Sequence, residues 1–229
     1  MGKIQMKSTE LFEENRTLAW PCFLAVENPW ELIPRIKEII LAIGQGLDPA
    51  LYKNPSEGIW IAKSASVAPT TAIGAPAIIG ENTQIRHGAY IRGSVLVGEG
   101  CVIGNSVELK NCILFDKVQV PHFNYVGDSI LGYKAHLGAG AITSNVKGDR
   151  TVVFIKNGDE IIPTNSRKLG AILGDYAEIG CNAVVNPGCI IGQRTIVYPT
   201  ASVRGVIPSD SLVKAGRDIE IVARIPKES

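Results

Sequence analysis

The sequence predicts an all-β solenoid: a parallel β-helix of about seven coils with a short helical cap at its N-terminus. Three observations carry this prediction. Aliphatic residues recur at every sixth position through most of the chain, and small or turn-forming residues follow them at fixed offsets. Aromatic residues make up only 6% of a chain that is 45% hydrophobic. Thin, stacked layers with an aliphatic core account for all three.

Residues 1–58 show a helical pattern instead of the six-residue period. Apolar residues lie at helical spacing over 33–43; Asn28 or a neighbour starts the helix, Pro34 lies in its first turns and Gly44 ends it. We expect this segment to cap the open end of the first coil, which otherwise exposes unpaired strand edges.

The β-helix is predicted over residues 59–205. Neither a helix, with its 3.6-residue period, nor a single strand, with its period of two, produces a period of six. We call each core position of the repeat a rung. At three rungs per coil, 21 rungs, of which twenty are aliphatic and one is a threonine, make seven coils. The rungs are Ile61, Val67, Ile73, Ile79, Ile85, Ile91, Val97, Ile103, Leu109, Leu114, Val120, Val126, Leu131, Leu137, Thr143, Leu173, Ile179, Val185, Ile191, Val197 and Val203.

Two further segments interrupt or follow the rungs. Within 146–168, two apolar stretches flank Lys156-Asn157-Gly158-Asp159, which predicts a hairpin loop extruded from one corner. The tail 206–229 is expected to leave the three-sided prism that the coils of the β-helix form.

Charge and composition exclude several classes of function. With 23 basic and 22 acidic residues, the chain has neither the charge excess of a nucleic-acid-binding protein nor a polybasic membrane surface. The apolar run over 18–26 is too short for a membrane helix and lacks a signal-peptide cleavage site. Five cysteines show no metal-binding spacing, so we expect buried thiols, no metal and a cytoplasmic protein.

Candidate chemistry lies where residues depart from the repeat. Arg92 and Lys110 each follow a core aliphatic residue and lie 18 residues apart, which is one coil, so they stack as a two-cation patch suited to a phosphate. Solvated surface charge is the alternative.

His122 lies where the repeat slips and could accept a proton near neutral pH, although a structural histidine remains open. Gly138-Ala139-Gly140 could bring backbone N–H groups close to a ligand or could form only a tight corner.

Three motifs carry a resemblance to a known family. Val107-Glu-Leu-Lys-Asn, Val120-Pro-His-Phe-Asn-Tyr-Val-Gly-Asp-Ser and Leu137-Gly-Ala-Gly-Ala-Ile-Thr-Ser-Asn145 resemble the acetyltransferase domain of the bifunctional glucosamine-1-phosphate acetyltransferase/N-acetylglucosamine-1-phosphate uridyltransferases. They are similar also to the C-terminal domain of archaeal sugar-1-phosphate nucleotidylyltransferases. The resemblance implies a left-handed β-helix, a homotrimer and acetyl-CoA as co-substrate.

The resemblance also implies roles for single residues. His122 corresponds to the general base, and Arg92, Lys110 and Tyr125 correspond to ligands of the sugar phosphate. A neighbouring subunit contributes a lysine at Lys168 to the sugar site. The remaining positions match contacts to acyl-CoA: Ala139 beside the thioester, Asn145 near the acyl-CoA, Cys181 beside the pantetheine arm and Arg224 at the coenzyme phosphates.

The sequence departs from the family pattern in two places. His136 stands where the family has an asparagine that contacts substrate, and inserted residues precede Lys168. Residues 1–58 contain no Gly-rich nucleotide-binding loop, so we expect acetyl transfer without nucleotidyl transfer by this chain.

Three alternatives stay open from the sequence. The chain could be a hexapeptide acyltransferase with another acceptor, or an inactive sugar-nucleotide-binding scaffold. A γ-class carbonic anhydrase would use His87, His122 and His136, the only three histidines, for zinc, and their spacings do not resemble such a site.

Overall fold

The computed structural model describes residues 6–214 and shows a parallel β-helix with three stacks of short strands, so the predicted solenoid is confirmed. We number the faces in the order in which the chain first visits them. Face 1 contains the strands Ile59–Ala62, Ala77–Ile79, Val95–Val97, Ala171–Leu173, Cys189–Ile191 and Val206–Ile207. Face 2 contains Ser66–Val67, Gln84–Ile85, Val102–Asn105, Gln119–His122, His136–Leu137, Glu178–Ile179, Ile196–Val197 and Leu212–Val213. Face 3 contains Ala72–Ile73, Tyr90–Ile91, Ile142–Thr143, Val184–Val185 and Ser202–Val203.

Two longer strands, Glu108–Leu114 and Tyr125–Leu131, bend at a corner and belong to face 3 with their first halves and to face 1 with their second halves. All 21 predicted rungs lie in these strands. The strands at Val206–Ile207 and Leu212–Val213 add two more rungs, because each pairs in parallel with the level below it. The solenoid is therefore longer than seven coils, and the prediction that the chain leaves the prism at 206 is wrong. The step from Val203 to Ile207 is only four residues, which breaks the period.

The outer side of face 1 is apolar and covered. Most face 1 strands are buried along three successive residues, whereas strands of the other faces alternate between buried and exposed. Because side chains alternate in a strand, the middle residue of each triplet points away from the prism. These middle residues are at most 1% exposed: Ile78, Leu96, Ile113, Ile130, Ile172 and Ile190.

The N-terminal segment covers the lower part of face 1. It comprises short α-helices at Ser8–Leu11 and Trp20–Leu24, a 3-10 helix at Pro29–Arg35 and an α-helix at Ile36–Gln45. The last helix contacts the face 1 strands from 77 to 114, and the 3-10 helix contacts Tyr125–Leu131. A helix in this stretch is confirmed, but it runs past Gly44 to Gln45, and its predicted position as an end cap is wrong. Only Tyr52–Ser56 covers an edge, by pairing antiparallel with Ile59–Ala62.

The start of this segment is fixed by a buried carboxylate. Asp175 is fully buried and accepts N–H bonds from Glu13 and Tyr133, at 2.5 and 2.6 Å. Its own N–H donates to the carbonyl of Leu11 at 3.0 Å. Burial raises the pKa of Asp175 to about 6.

The inserted hairpin covers the upper part of face 1. Its strands Phe154–Asn157 and Glu160–Pro163 pair antiparallel, as predicted. Instead of extending from the corner, the first strand folds back against the coils at 189–191 and 206–207. A Cβ at Gly205 would lie 2.9 Å from the carbonyl oxygen of Lys156, so the hairpin approaches the solenoid at van der Waals distance. None of the helices described by the structure is long and apolar enough to cross a membrane.

Candidate active site

The candidate residues gather along two edges of face 3. One edge is the corner where the chain passes from face 2 to face 3, which we call the 2–3 corner, and it carries His122, Ala139 and Cys181 at successive levels. The opposite edge, the 3–1 corner, carries Arg92 and Lys110. Equivalent positions at the two corners are five residues apart, as at His87 and Arg92, so they lie at most about 16 Å apart at the rise of an extended strand.

His122 ends a face 2 strand and is exposed at the 2–3 corner. The turn that presents it is fixed by Asn124, which is 3% exposed. The side-chain oxygen of Asn124 accepts the N–H of His122 at 3.1 Å. Its amide group donates to the carbonyls of Gly138 and Ala141, at 2.8 and 3.0 Å. Asn124 therefore ties the His122 turn to the level above it.

Ala139 and Cys181 continue this column upward. The N–H of Gly140 donates to the carbonyl of His122 at 3.0 Å, and the N–H of Asn182 donates to the carbonyl of Ala139 at 2.9 Å. Of the three N–H groups in Gly138-Ala139-Gly140, only that of Ala139 has no acceptor within residues 6–214. A free N–H one level above an exposed histidine can donate to a carbonyl oxygen of a ligand.

Lys110 is held by a buried carboxylate at the 3–1 corner. Its ammonium group lies 3.0 and 3.1 Å from the two carboxylate oxygens of Asp128. The side chain of Asp128 is only 4% exposed, and that of Lys110 is 24% exposed. Asp128 also accepts hydrogen bonds from Asn111, at 2.8 Å, and from Asn145.

Arg92 lies one level below and binds a different carboxylate. Its guanidinium group is 2.7 Å from Glu108, and both side chains are more than one-third exposed. The Glu108 hydrogen bond raises the pKa of Arg92 above its usual value. The predicted stacking of Arg92 and Lys110 at adjacent levels is confirmed, but each cation has its own carboxylate in place of a shared anion.

Tyr125 and Asn145 complete the 3–1 corner. The hydroxyl of Tyr125 accepts a hydrogen bond from the Asn145 amide at 3.2 Å. Burial, followed by the nearby Asp128 carboxylate, raises the pKa of Tyr125. Asn145 thus lies with the residues expected to bind the sugar phosphate and not with Ala139, although the resemblance implied a contact with acyl-CoA.

The other predicted residues are placed differently. Lys168 is exposed and lies near the 3–1 corner, because the next two residues donate N–H bonds to the carbonyls of Asn145 and Asp128. His136 lies on face 2, where its Nδ1 is 2.7 Å from Glu178, so one chain does not bring it to His122. Arg224 lies outside the described residues.

The sequence analysis missed Asp128 and Asn124 as functional positions. Both stand inside the quoted motif, and both are buried polar residues. Asn124 stands four residues after the rung Val120, where a small or β-branched residue is normal, and that departure was the available signal; the repeat marks no such position at Asp128.

The carbonic anhydrase alternative does not fit this geometry. His87 and His122 occupy one corner two levels apart, which is about 10 Å at the spacing of paired strands, whereas His136 lies on face 2. Within residues 6–214, no group of three metal-ligating side chains is placed to hold an ion.

Comparisons with known proteins confirm the resemblance that the motifs indicated. Residues 73–159 match the model of the GMPPB C-terminal domain. The bifunctional protein GlmU of Methanococcus maripaludis is 36% identical over 126 residues, which are 55% of this chain and 30% of the relative. The bifunctional protein GlmU of Methanococcus aeolicus is 30% identical over 198 residues, 86% of this chain and 48% of the relative. This chain thus spans half or less of the relatives' length.

Among solved structures, a hexapeptide transferase family protein from Anaplasma phagocytophilum shares 18% identity and a TM-score of 0.38. The match covers 73% of this chain and 79% of that protein.

Proposed function

We propose that this chain is an acetyl-CoA-dependent N-acetyltransferase that acts on an amino-sugar phosphate. One observation carries the proposal: face 3 joins an exposed histidine at one edge to a cation corner at the other. Side chains that reach over the face from its two edges can hold a substrate that carries both an amine and a phosphate. A further relative, the bifunctional sugar-1-phosphate nucleotidylyltransferase/acetyltransferase of Sulfurisphaera tokodaii, supports the same reaction class.

His122 is the general base in this proposal. The amine nitrogen attacks the thioester carbonyl carbon, the bond from that carbon to sulfur breaks, and coenzyme A leaves as the thiolate. His122 takes the proton that the amine loses and can pass it to the thiolate, so that an amide and a free thiol result. A positioned base of this kind contributes about 10²–10⁴-fold to a rate.

The column above His122 provides the track for acyl-CoA. Ala139 adds no bulk at the level next to the base, and its free N–H is available to the thioester carbonyl oxygen. Cys181 is exposed one level higher, where the pantetheine arm would lie. A bulky side chain at either level would obstruct a ligand running along the corner.

Lys110, Arg92 and Tyr125 bind the sugar phosphate at the 3–1 corner. Because Glu108 holds Arg92 in an exposed ion pair, the phosphate replaces that carboxylate at little cost. Lys110 stays paired with Asp128, so it contributes its positive charge to the phosphate site from one side. Asn145 belongs to this group through its bonds to Tyr125 and Asp128.

A homotrimer would complete the site. Face 1 is covered by the chain itself, whereas large exposed apolar side chains lie on faces 2 and 3 and on the corner between them. These residues are Tyr90, Phe123, Ile142, Ile196, Tyr198 and Leu212. Burial of such a surface against a neighbouring copy would place the His122 column in a cleft between subunits and could bring His136 and Lys168 of other copies to it. The contribution of Arg224 and a cytoplasmic location remain predictions.

The proposal is tested by supplying purified protein with acetyl-CoA and a panel of acceptors while the free thiol is measured. The panel contains glucosamine 1-phosphate, glucosamine 6-phosphate, unphosphorylated glucosamine and serine, and light scattering records the oligomeric state. We expect thiol release with a phosphorylated amino sugar from a trimer. Release with serine alone would identify another acceptor class, and no release with tight sugar-nucleotide binding would identify a scaffold. An active monomer would refute the trimer.

A further inference from the structure

A cleft of about 730 Å³ lies beside the upper coils at the 3–1 corner, outside the site described above. One wall is the hairpin and the stretch that leads into it, from 144 to 158. The other wall consists of corner residues of the two coils above, at 186–187 and 204–206. Its volume is within the usual range for pockets that bind small molecules.

The cleft is basic. Lys147, Lys156 and Arg204 line it, with Asp149 as the one acidic lining residue. Lys147 is 3.4 Å from Asp149, whereas Lys156 and Arg204 form no ion pair within residues 6–214. Arg92 and Lys110, by contrast, are both neutralised by carboxylates.

The hairpin strand holds one cation and an aromatic ring toward the cleft. Along Phe154–Asn157, burial alternates, so that Ile155 is packed while Phe154 and Lys156 are exposed on the same side. Phe154 is 46% exposed, so its ring is open to a ligand in the cleft. The ammonium group of Lys147 lies 5.7 Å from the centroid of the Phe154 ring.

The hairpin is held in place by close backbone contacts. A Cβ at Gly188 would lie 2.8 Å from the carbonyl oxygen of Phe154, and one at Gly205 would lie 2.9 Å from that of Lys156. Both glycines have positive φ angles, +75° and +77°. The ring and the ammonium group are therefore carried by a strand that is fixed against the solenoid, which is a pre-organised arrangement.

Gly148 lies in the same wall, in the stretch that leads into the hairpin, and the folded chain does not require a glycine there. Nothing lies within 4 Å of a Cβ built at this position, and its φ is not in the left-handed region. A residue without a side chain here leaves room in the cleft and exposes its backbone to a ligand.

We propose that this cleft binds a nucleoside phosphate, with the base against Phe154 and the phosphates between Lys156 and Arg204. An aromatic face next to two unneutralised cations matches the two parts of such a ligand. Two ligands contain this chemistry: coenzyme A, through its adenosine phosphates, and a nucleotide-activated sugar. This proposal does not depend on the proposed acetyl transfer, because nucleotide binding is measured without turnover.

Calorimetric titration of the full chain tests the site with adenosine 3′,5′-bisphosphate, UDP, pantetheine and inorganic phosphate. We expect binding of at least one nucleotide, and weaker binding of phosphate and pantetheine. Tighter binding of adenosine 3′,5′-bisphosphate than of UDP assigns the cleft to coenzyme A, and the reverse assigns it to a sugar nucleotide.

Variants test whether nucleotides bind in this cleft or to surface charge in general. Lys156→Gln and Arg204→Gln should each weaken nucleotide binding by about tenfold, the value of one lost charge-assisted contact. Phe154→Leu should weaken it by about fivefold or more, through lost stacking and without any change in charge. Lys53→Gln, at an exposed lysine on the edge strand, is the matched control and should bind like wild type.

All three altered side chains are exposed, so circular dichroism should show the wild-type fold. The proposal is refuted if wild type binds no nucleotide at millimolar concentration, or if Lys156→Gln and Arg204→Gln bind as tightly as Lys53→Gln. Equal affinity for inorganic phosphate and nucleotide would refute the role of Phe154.

Discussion

The ion pair between Lys110 and Asp128 should contribute more to stability than the one between Arg92 and Glu108. Asp128 is almost fully buried, so Lys110→Ala leaves an uncompensated carboxylate inside the 3–1 corner. Breaking a buried pair on one side costs about 3–5 kcal/mol. Asn111 and Asn145 still donate to Asp128, and Lys110 is about one-quarter exposed. We therefore expect a loss at or below the lower end of that range, about 2–3 kcal/mol in the free energy of unfolding.

Arg92→Ala is the matched control. Both partners of that pair are more than one-third exposed, and exposed pairs contribute at most about 1 kcal/mol. Urea titration followed by tryptophan fluorescence measures both variants, because Trp30 lies in the 3-10 helix that packs on the strand carrying Asp128. Circular dichroism of the same samples reports the solenoid itself.

A second change separates loss of the pair from loss of packing. In the Lys110→Ala background, Asp128→Asn removes the buried charge and should recover at least about 1 kcal/mol. Equal stability of Lys110→Ala and Arg92→Ala would show that Asp128 is not buried as a charged group in the folded protein. A double variant less stable than Lys110→Ala alone would contradict the same reasoning.

Three other predictions concern the base, the phosphate and the N-terminal anchor. His122→Ala should lower kcat by about 10²–10⁴-fold in a folded trimer, whereas His87→Ala, two levels lower in the same corner, should leave kcat near wild type; equal effects would remove His122 from the mechanism. Arg92→Ala should raise the KM for the amino-sugar phosphate about tenfold but not that for acetyl-CoA, and Glu108→Gln should lower it a few-fold; a change in the acetyl-CoA KM instead would mean that the corner holds coenzyme phosphates. The pKa of Asp175 is raised to about 6, so its contribution to the free energy of unfolding is present below about pH 4 and is lost as pH rises through 6. In urea titrations, wild type should lose about 3 kcal/mol of that free energy between pH 4 and 7 relative to Asp175→Asn. Parallel pH profiles of the two proteins would contradict this.

The rungs could be predicted because a single core residue, placed by the six-residue period, marks each of them. Every aliphatic position from Ile61 to Val203 that kept the period lies in a strand. The rungs at Ile207 and Val213 were missed because a four-residue step precedes them. Periodicity identifies inward-facing positions only, since it contains no information on what packs outside the prism.

The covering of face 1 had a sequence signal that a search for a period of six overlooks. At every third rung, the residue before the core aliphatic is also large and apolar, as at Ile78, Leu96 and Ile113. Such a row predicts that something packs on this face, but not which segment does so. Similarly, the stacking of Arg92 and Lys110 followed from their spacing, whereas their carboxylate partners depend on side-chain directions that spacing does not fix.

The covering of face 1 by residues near the start of the chain has a consequence during synthesis. Glu13 must meet Asp175, which is made 162 residues later. At about 5–20 residues per second, translation supplies that partner only after roughly 8–30 s. Until then, the isoleucines of the helix Ile36–Gln45 can pack only on coils that have already emerged. The ribosome-bound chain therefore exposes an apolar surface for seconds, and a chaperone that binds nascent chains could bind the helices that precede the solenoid.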